Sequence, residues 1–370
     1  MGESPPAFPP GPDTRDPNTS PGRVGEYNPE SVLEDLSSVS DASPVAERLE
    51  SHPTHSRPAL ALARHPGEQA AVAALRARRQ SAWYKTYRRR TAAPRLSESH
   101  RKYLEDAGAF LELPRTTTDP LLAIYVSMLD YLIPLLDGAA VSRDHSNGRS
   151  SVFYLVRAMC LVICKTKQAA PFLRLTEGGP VLPPLQFASN LFEGLAAAIN
   201  ADLEPDRVVK TQILALMHLH NDGPHGMDRS ARYLSNAICE AWSLMLHFNL
   251  FDNEEQEQSD YLWWTLRNLD RLNKPVMGAT PFFVDDTDIS IKRIPPKVSY
   301  RSQVMAMSLA LGDLMAHATK VYKGNRTVVG DDDAPFPSLA EVASDIEFDR
   351  FHRSHRGKHT TREDEDRVSQ

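Results

Sequence analysis

Residues able to do chemistry fall into a few groups in this sequence. Arg267, Asp270 and Arg271 share one helical pattern, and Asp285, Asp286 and Asp288 follow close behind it. An acidic cluster of this kind is tolerable only in water or beside cations. Arg267 and Arg271, four apart and therefore on one helix face, are the candidate cations. The spacing predicts that Asp270, Arg271, Asp286 and Asp288 form a structural polar cluster. Divalent metal binding is the competing chemistry, because hard cations gather several carboxylate oxygens. Here the three later acids follow Pro281 and lead into Ile289-Ser290-Ile291, which reads as turn and extended chain, so no metal site is expected there.

His218, His220, Asp222 and His225 lie close enough in sequence for a zinc site. On a helix, however, residues two apart point away from each other. Asn221-Asp222-Gly223-Pro224 is a strong turn, so these histidines are read as exposed and turn-associated. Cysteines number only three, Cys160, Cys164 and Cys239, each in apolar company, and all three are read as small buried hydrophobes. A binuclear zinc cluster needs more thiolates than that, because bridging and terminal sulfurs together must complete a tetrahedron at each metal. Nucleophile elbow, Walker loop and dinucleotide fingerprint are absent. The chain is read as a non-enzyme with no cofactor.

A further group is basic. Between Arg76 and Lys102 stand ten Lys or Arg residues against one acid, Glu98, with Trp83, Tyr84 and Tyr87 among them. Such a stretch can neutralise phosphates by counterion release. Lys85, Arg88, Arg89 and Arg90 are the candidates for nuclear import or for nonspecific DNA contact; a solvated linker helix is the alternative. Upstream, SVLEDLSSVSD mixes Val32, Leu33 and Leu36 with acids and serines in the manner of a weak activation segment.

The elements that must position these residues are helical. Ala231, Leu234, Ile238, Trp242, Met245 and Phe248 recur at steps of three and four, which makes a wide apolar face that must be covered. A second pattern starts at Ser259 as N-cap, runs through Leu262, Leu266, Leu269 and Leu272, and is stopped by Pro275. Trp263 and Trp264 lie about 100° apart on that helix, so one is expected to pack and the other to lie at an edge. Helices are predicted near 69–89, 98–107, 119–134, 150–169, 185–200, 205–220, 228–248, 259–273 and 299–320, with 205–220 and 228–248 forming an antiparallel hairpin. The fold class is all-α, an irregular multi-helix domain with helical hairpins and minimal strand content.

Composition sets the limits of that domain. Residues 1–60 hold eleven of the 28 prolines with few large apolar groups, too little to offset chain entropy by burial. The expected organisation is a disordered Pro/Ser-rich region at 1–68, a basic linker helix at 69–102, a single core-bearing domain at 103–325 and a disordered charged tail at 326–370. Three cysteines without a pairing pattern point to a reducing compartment. No amino-terminal signal and no apolar run of about 18 residues is present, so secretion and membrane spanning are not expected.

RYLSxAIxxAxxLxLH at 232–247, LWWxLxxLDRL at 262–272 and the Asp-x-Asp-Ile turn at 286–289 come in a particular order. That order resembles the middle homology region of fungal-specific transcription factors of the zinc-cluster class. The likeness extends upstream to GAFLELP at 108–114 and PLLD at 134–137. LMHLHNDGPHGMD at 216–228 is similar to the cutinase-regulator branch of that family. Together these motifs cover residues 96–325. The resemblance implies a helical regulatory domain acting in the nucleus, with Trp264, Asp270, Arg271, Asp286 and Asp288 as motif residues of structural character. It implies DNA, or a homo- or hetero-oligomer with another transcription factor, as partner. Two departures stand out. Gly278-Ala279-Thr280-Pro281 lacks the arginine of the family's Gly-Arg-Pro, and Met245 stands where a glycine is usual, which puts a close helix crossing there in question. The zinc cluster that precedes this region in related regulators is not in the sequence, either lost or encoded upstream of Met1. The remaining alternative is a non-DNA-binding partner, or a small-molecule sensor acting through a full-length regulator.

Overall fold

The run VFYLVRAMCLVIC is apolar but for Arg157, and a helix with no polar face must lie inside. It does so as the central helix of the fold. The computed structural model describes residues 66–89, 94–223, 225–249, 254–277, 282–284, 286–296, 299–322 and 340–341. All belong to the unit Arg64–Gln370; the unit Met1–Ala63 lies outside the described residues, as does nearly all of the two terminal segments expected to be disordered. The fold is all-α: among the described residues there are ten α-helices and no strand. In chain order they are α1 Pro66–Arg88, α2 Glu98–Asp106, α3 Arg115–Met128, α4 Gly138–Ser146, α5 Phe153–Ile163, α6 Pro184–Asn200, α7 Arg207–His218, α8 Gly226–Ser243, α9 Glu254–Met277 and α10 Tyr300–Tyr322.

Helix α5 packs against α3, α6 and α7. Leu155, Val156, Ala158, Met159, Cys160, Leu161 and Ile163 are all buried along it, and so is Arg157. Among the described residues no carboxylate pairs with that arginine. Its Nη1 and Nη2 donate to the carbonyls of Ala109 (2.6 Å) and Gly108 (2.9 Å) in the GAF turn. Burial pushes the guanidinium down to about 10. Gly194 on α6 leaves the room for this contact, since a Cβ there would stand 2.4 Å from both Arg157 Nη2 and the Gly108 carbonyl oxygen. Helices α7 and α8 form the expected hairpin, and α9 lies across α8 and against α10.

Several boundaries differ from the sequence reading. Helix α3 starts at Arg115, upstream of Pro120, because Thr117 and Thr118 find partners for their hydroxyls in the Arg174 carbonyl (3.0 Å) and His145 Nε2 (2.9 Å). Helix α4 lies between two of the expected helices and was not among them. Asp137 caps it by accepting from Ala140 N (2.8 Å), and Asp130 accepts from Gly138 N (3.0 Å). Helix α9 runs from Glu254, so Ser259 is a buried interior residue and not the N-cap, and it passes Pro275 to end at Met277. A proline within the last turn removes one bond near an end. Trp263 and Trp264 are both buried, against the expectation of one at an edge. The chain after the acidic turn covers the second indole, whose Nε1 donates to the Lys292 carbonyl at 3.0 Å. Cys160 and Cys164 are buried, but Cys239 is exposed, one position from buried Ile238 and so about 100° around the helix from it.

Helices α2, α4, α6 and α8 stop in one way. The N–H two residues past each cap returns to the carbonyl five residues back, and the intervening residue sits at positive φ. Glycine fills that position at Gly108 and Gly148, where φ is 73° and 72°. In α8 it is Met245, at φ 59°, with Leu246 N bonded to Ala241 O at 3.1 Å. Backbone handedness by itself favours glycine at this position, without any helix crossing. A side chain there costs about 1–2 kcal/mol. Met245→Gly is expected to raise the unfolding free energy by about 1 kcal/mol, the strain relief exceeding what a half-buried methionine contributes. Chemical denaturation checks this; a lower midpoint for the glycine variant would mean that packing of Met245 outweighs its strain.

Candidate functional site

From Tyr261 to Arg271 every residue of α9 is buried, so its charged members must find partners inside the protein. Arg267, with 2% of its side chain exposed, donates from Nε and Nη2 to the two carboxylate oxygens of Asp286 at 3.1 and 2.5 Å. The same Nη2 reaches Asp313 Oδ1 of α10 at 2.6 Å, and Arg293 binds Asp313 Oδ2 at 2.7 Å from the solvent side. Gly312 permits this close approach, because a Cβ there would stand 2.3 Å from Asn268 Oδ1. Asp270, fully buried, accepts the backbone N–H groups of Phe283 (2.8 Å) and Val284 (3.1 Å). Arg271 donates to the Val284 carbonyl at 2.9 Å, stands 3.3 Å from Asp286 and stacks over the Phe282 ring at 4.1 Å.

Burial alone would raise the Asp286 carboxyl; the hydrogen bonds and charges of Arg267 and Arg271 outweigh it and hold the group below the usual carboxylate range. Burial would likewise lower Arg267, and Asp286 with Asp313 reverses that. Guanidiniums stay charged at any physiological pH, so the two arginines hold their carboxylates as fixed cations. What it does is clamp the segment 282–294 onto α9 and α10. The structure brings Asp270, Arg271 and Asp286 together and sets Trp264 beside them, with Arg293 5.8 Å above its ring. Asp288 lies on the one-turn 3-10 helix Asp286–Asp288, but its side chain and all of Asp285 lie outside the described residues. Asp313 and Arg293 were not singled out in the sequence; Asp313, four positions from buried Leu309 on α10, is one acid in an otherwise apolar run.

The histidine group is not the exposed turn expected. His218 and His220 are buried, and only His225 is exposed. His218 Nδ1 pairs with Ser230 and its Nε2 with Asn273 Nδ2 (3.0 Å), which ties α7, α8 and α9 to one ring. His220 packs on Phe192 with ring centroids 5.0 Å apart, and burial and nearby Lys165 push it down to about 4, with Asp222 opposing. Their burial follows from the turn folding back against α6. Among the described residues no group of His, Cys, Asp and Glu stands close enough to hold a metal ion, and no helix is long and apolar enough to cross a membrane.

On the basic helix α1 the described side chains upstream of Gln80, from Val72 to Arg79, are exposed, and the helix is docked from Gln80 onward, which differs from a fully solvated linker. Tyr84 is buried, Trp83 Nε1 donates to the Ser243 carbonyl of α8 at 3.4 Å, and Trp83 stacks on Tyr87 at 3.8 Å. Lys85 is exposed. Arg88 Nε lies 3.1 Å from Asp206 Oδ2, and Arg89 Nε 3.6 Å from the same atom. Arg90 lies outside the described residues. Asp206 is also the N-cap of α7, accepting from Val208 N at 2.9 Å. Beneath it Glu204, buried, accepts Asp206 N at 2.9 Å. Neither acid was read from the sequence, where the cap pattern Asp206-Arg207-Val208-Val209 was the available signal.

Cutinase transcription factor 1 alpha of Fusarium vanettenii is 24% identical to this chain over 195 residues. The match covers 51% of this chain and 21% of that protein, so the chain spans about a fifth of its relative's length. No family model matches the chain, and no solved structure matches it. The chain is thus similar to a fungal transcription factor over half its length, at an identity that places it at a distance.

Removing Arg271 would leave Asp286 short of a cation and the Val284 carbonyl without its donor. Arg271→Ala is expected to cost about 3 kcal/mol or more, read from the denaturation midpoint; an unchanged midpoint would make the cluster a solvated surface. Glu204 gives a separate expectation. Burial, with Asp206 adding to it, raises this carboxyl from 4.5 to about 7 despite the Asp206 N–H. The unfolded chain therefore ionises first, and stability is full below pH 4.5 and lost as pH rises toward 7. Glu204→Gln, which mimics the protonated form, should stabilise by about 3 kcal/mol at pH 8 and by almost nothing at pH 4. Equal differences at the two pH values would contradict this.

Proposed function

We propose that this chain is a transcription regulator of the fungal type, with residues 103–325 as its helical regulatory domain. The similarity to a fungal transcription factor over 195 residues carries this reading. The order RYLS helix, LDR helix, acidic turn supports it, since those motifs coincide with α8, α9 and the segment clamped by Arg267 and Arg271. A charge cluster whose arginines are engaged by Asp286, Asp313 and the Val284 carbonyl fits a structural clamp in a regulatory scaffold. The protein works in the nucleus. Its DNA contact is made by phosphates against Lys85, Arg88, Arg89 and Arg90, weakly and without base preference, at roughly 10⁻⁴ to 10⁻⁶ M in physiological salt.

A cavity favours a second reading, that of an effector-sensing partner acting through a full-length regulator. It measures about 360 Å³ and lies between α6, α7 and α8, lined by Ile199, Lys210, Leu214, Tyr233, Cys239 and Glu240 among others. Fusing the full chain to an unrelated DNA-binding module in a fungal cell tests both. The regulator reading expects reporter output to change several-fold against the module alone. A change seen only when a second zinc-cluster regulator is co-expressed would favour the partner reading, and no change with a stably expressed fusion would remove both.

A further inference from the structure

The end of α1 is held to the body by an arrangement that DNA would have to undo. Arg89 forms an isolated antiparallel backbone bridge with Asp206. Arg88 Nε approaches both oxygens of the Asp206 carboxylate, at 3.1 and 3.4 Å, and Arg89 Nε lies 3.6 Å from one of them. One carboxylate therefore sits between two guanidiniums that belong to the most basic part of the chain. Tyr84, buried on the same side, carries the Arg88 guanidinium 5.7 Å above its ring, and Trp83 bonds α8 one turn earlier. Upstream of Gln80 the described side chains face water: Val72 and Leu75 are 63% and 53% exposed, and Arg76, Arg78 and Arg79 are exposed.

A carboxylate and a phosphodiester oxygen offer the same thing to an arginine, a planar or near-planar pair of anionic acceptors. We propose that Asp206 occupies Arg88 and Arg89 in place of a DNA phosphate, so that the domain masks part of its own DNA-contacting helix. This rests on the reading that α1 contacts DNA. Lys85 and the exposed arginines upstream remain available for a first, loose encounter. Full contact requires the phosphate backbone to displace Asp206, which frees the helix end from α7. The clasp suits reversal because the Arg88 side chain is 31% exposed and that of Arg89 73%, and ion pairs open to water are weak and screened by salt.

Asp206→Asn separates the clasp from the fold, since asparagine caps a helix about as well as aspartate and keeps the acceptor for Val208 N. On the full chain, titration of a labelled random-sequence duplex at two salt concentrations should show Asp206→Asn binding about five- to tenfold more tightly than the parent. Adding Arg88→Ala and Arg89→Ala to that variant should abolish the gain. Hydrogen exchange over residues 82–89 should be faster in Asp206→Asn without DNA, with the thermal midpoint of the domain little changed. Equal DNA affinity in parent and Asp206→Asn, or unchanged exchange at 82–89, overturns the masking. Faster exchange with no DNA binding by any variant leaves the clasp in place and overturns the DNA reading on which its role depends.

Discussion

Arg267 is the group on which the second half of the fold depends. It is a cation almost wholly removed from water, and it is bound at once to Asp286 in the loop and Asp313 on α10. Desolvating such a charge is expensive unless geometry and hydrogen bonding are good. Both carboxylates keep part of their surface in water, 45% and 39% exposed, which lessens the desolvation they undergo while leaving their attraction to a buried partner strong. Because α9 is buried on every face from Tyr261 to Arg271, this pairing decides where the chain after α9 must lie. Asp270 and Arg271 then fix that path through the backbone of 283 and 284, and the segment in turn covers Trp264.

The first half is organised around Arg157 by a different solution to the same problem. There the cation is held by carbonyls of the turn that follows α2. Those carbonyls lie just past the end of α2, outside its helical ladder, where the Ala109 N–H has closed the helix on Leu104. The GAF turn, the glycine at 194 on α6 and the arginine on α5 are thus one contact seen from three places in the sequence. A Cβ at Gly194 would fall on both the donor and the acceptor.

Much of this was legible beforehand, and what was not has physical causes. Apolar periodicity is a property of a helix and its covered face, so the α7–α8 hairpin and the run of α5 could be read directly. Helix ends depend on single hydrogen bonds that leave little trace in periodicity, which is why α3, α5, α8 and α9 were misjudged by several residues. The burial of His218 and His220 could not be seen because their partners, Ser230, Asn273 and Phe192, come from three other helices. In the charge cluster, Arg267, Asp270, Arg271 and Asp286 were legible because they lie within twenty residues of one another. Asp313 was not, since a lone acid on an apolar helix carries no sign of which cation it will meet. Asp206 was hidden for the same reason, 118 residues from Arg88.

Arginine and aspartate meet in two settings in this protein, and burial decides what each meeting can do. At α9 the guanidinium is dry, its bonds are bidentate, and neighbouring backbone groups complete the cluster; opening it would strand a charge inside the protein. At the end of α1 the guanidiniums keep water on one side, the distances are longer, and the carboxylate has a second duty as a helix cap that it retains if the arginines leave. The same chemical pair is therefore a permanent joint in one place and a releasable one in the other. A chain with a firm helical body and a basic arm has use for both, because the body must hold its shape while the arm changes partners.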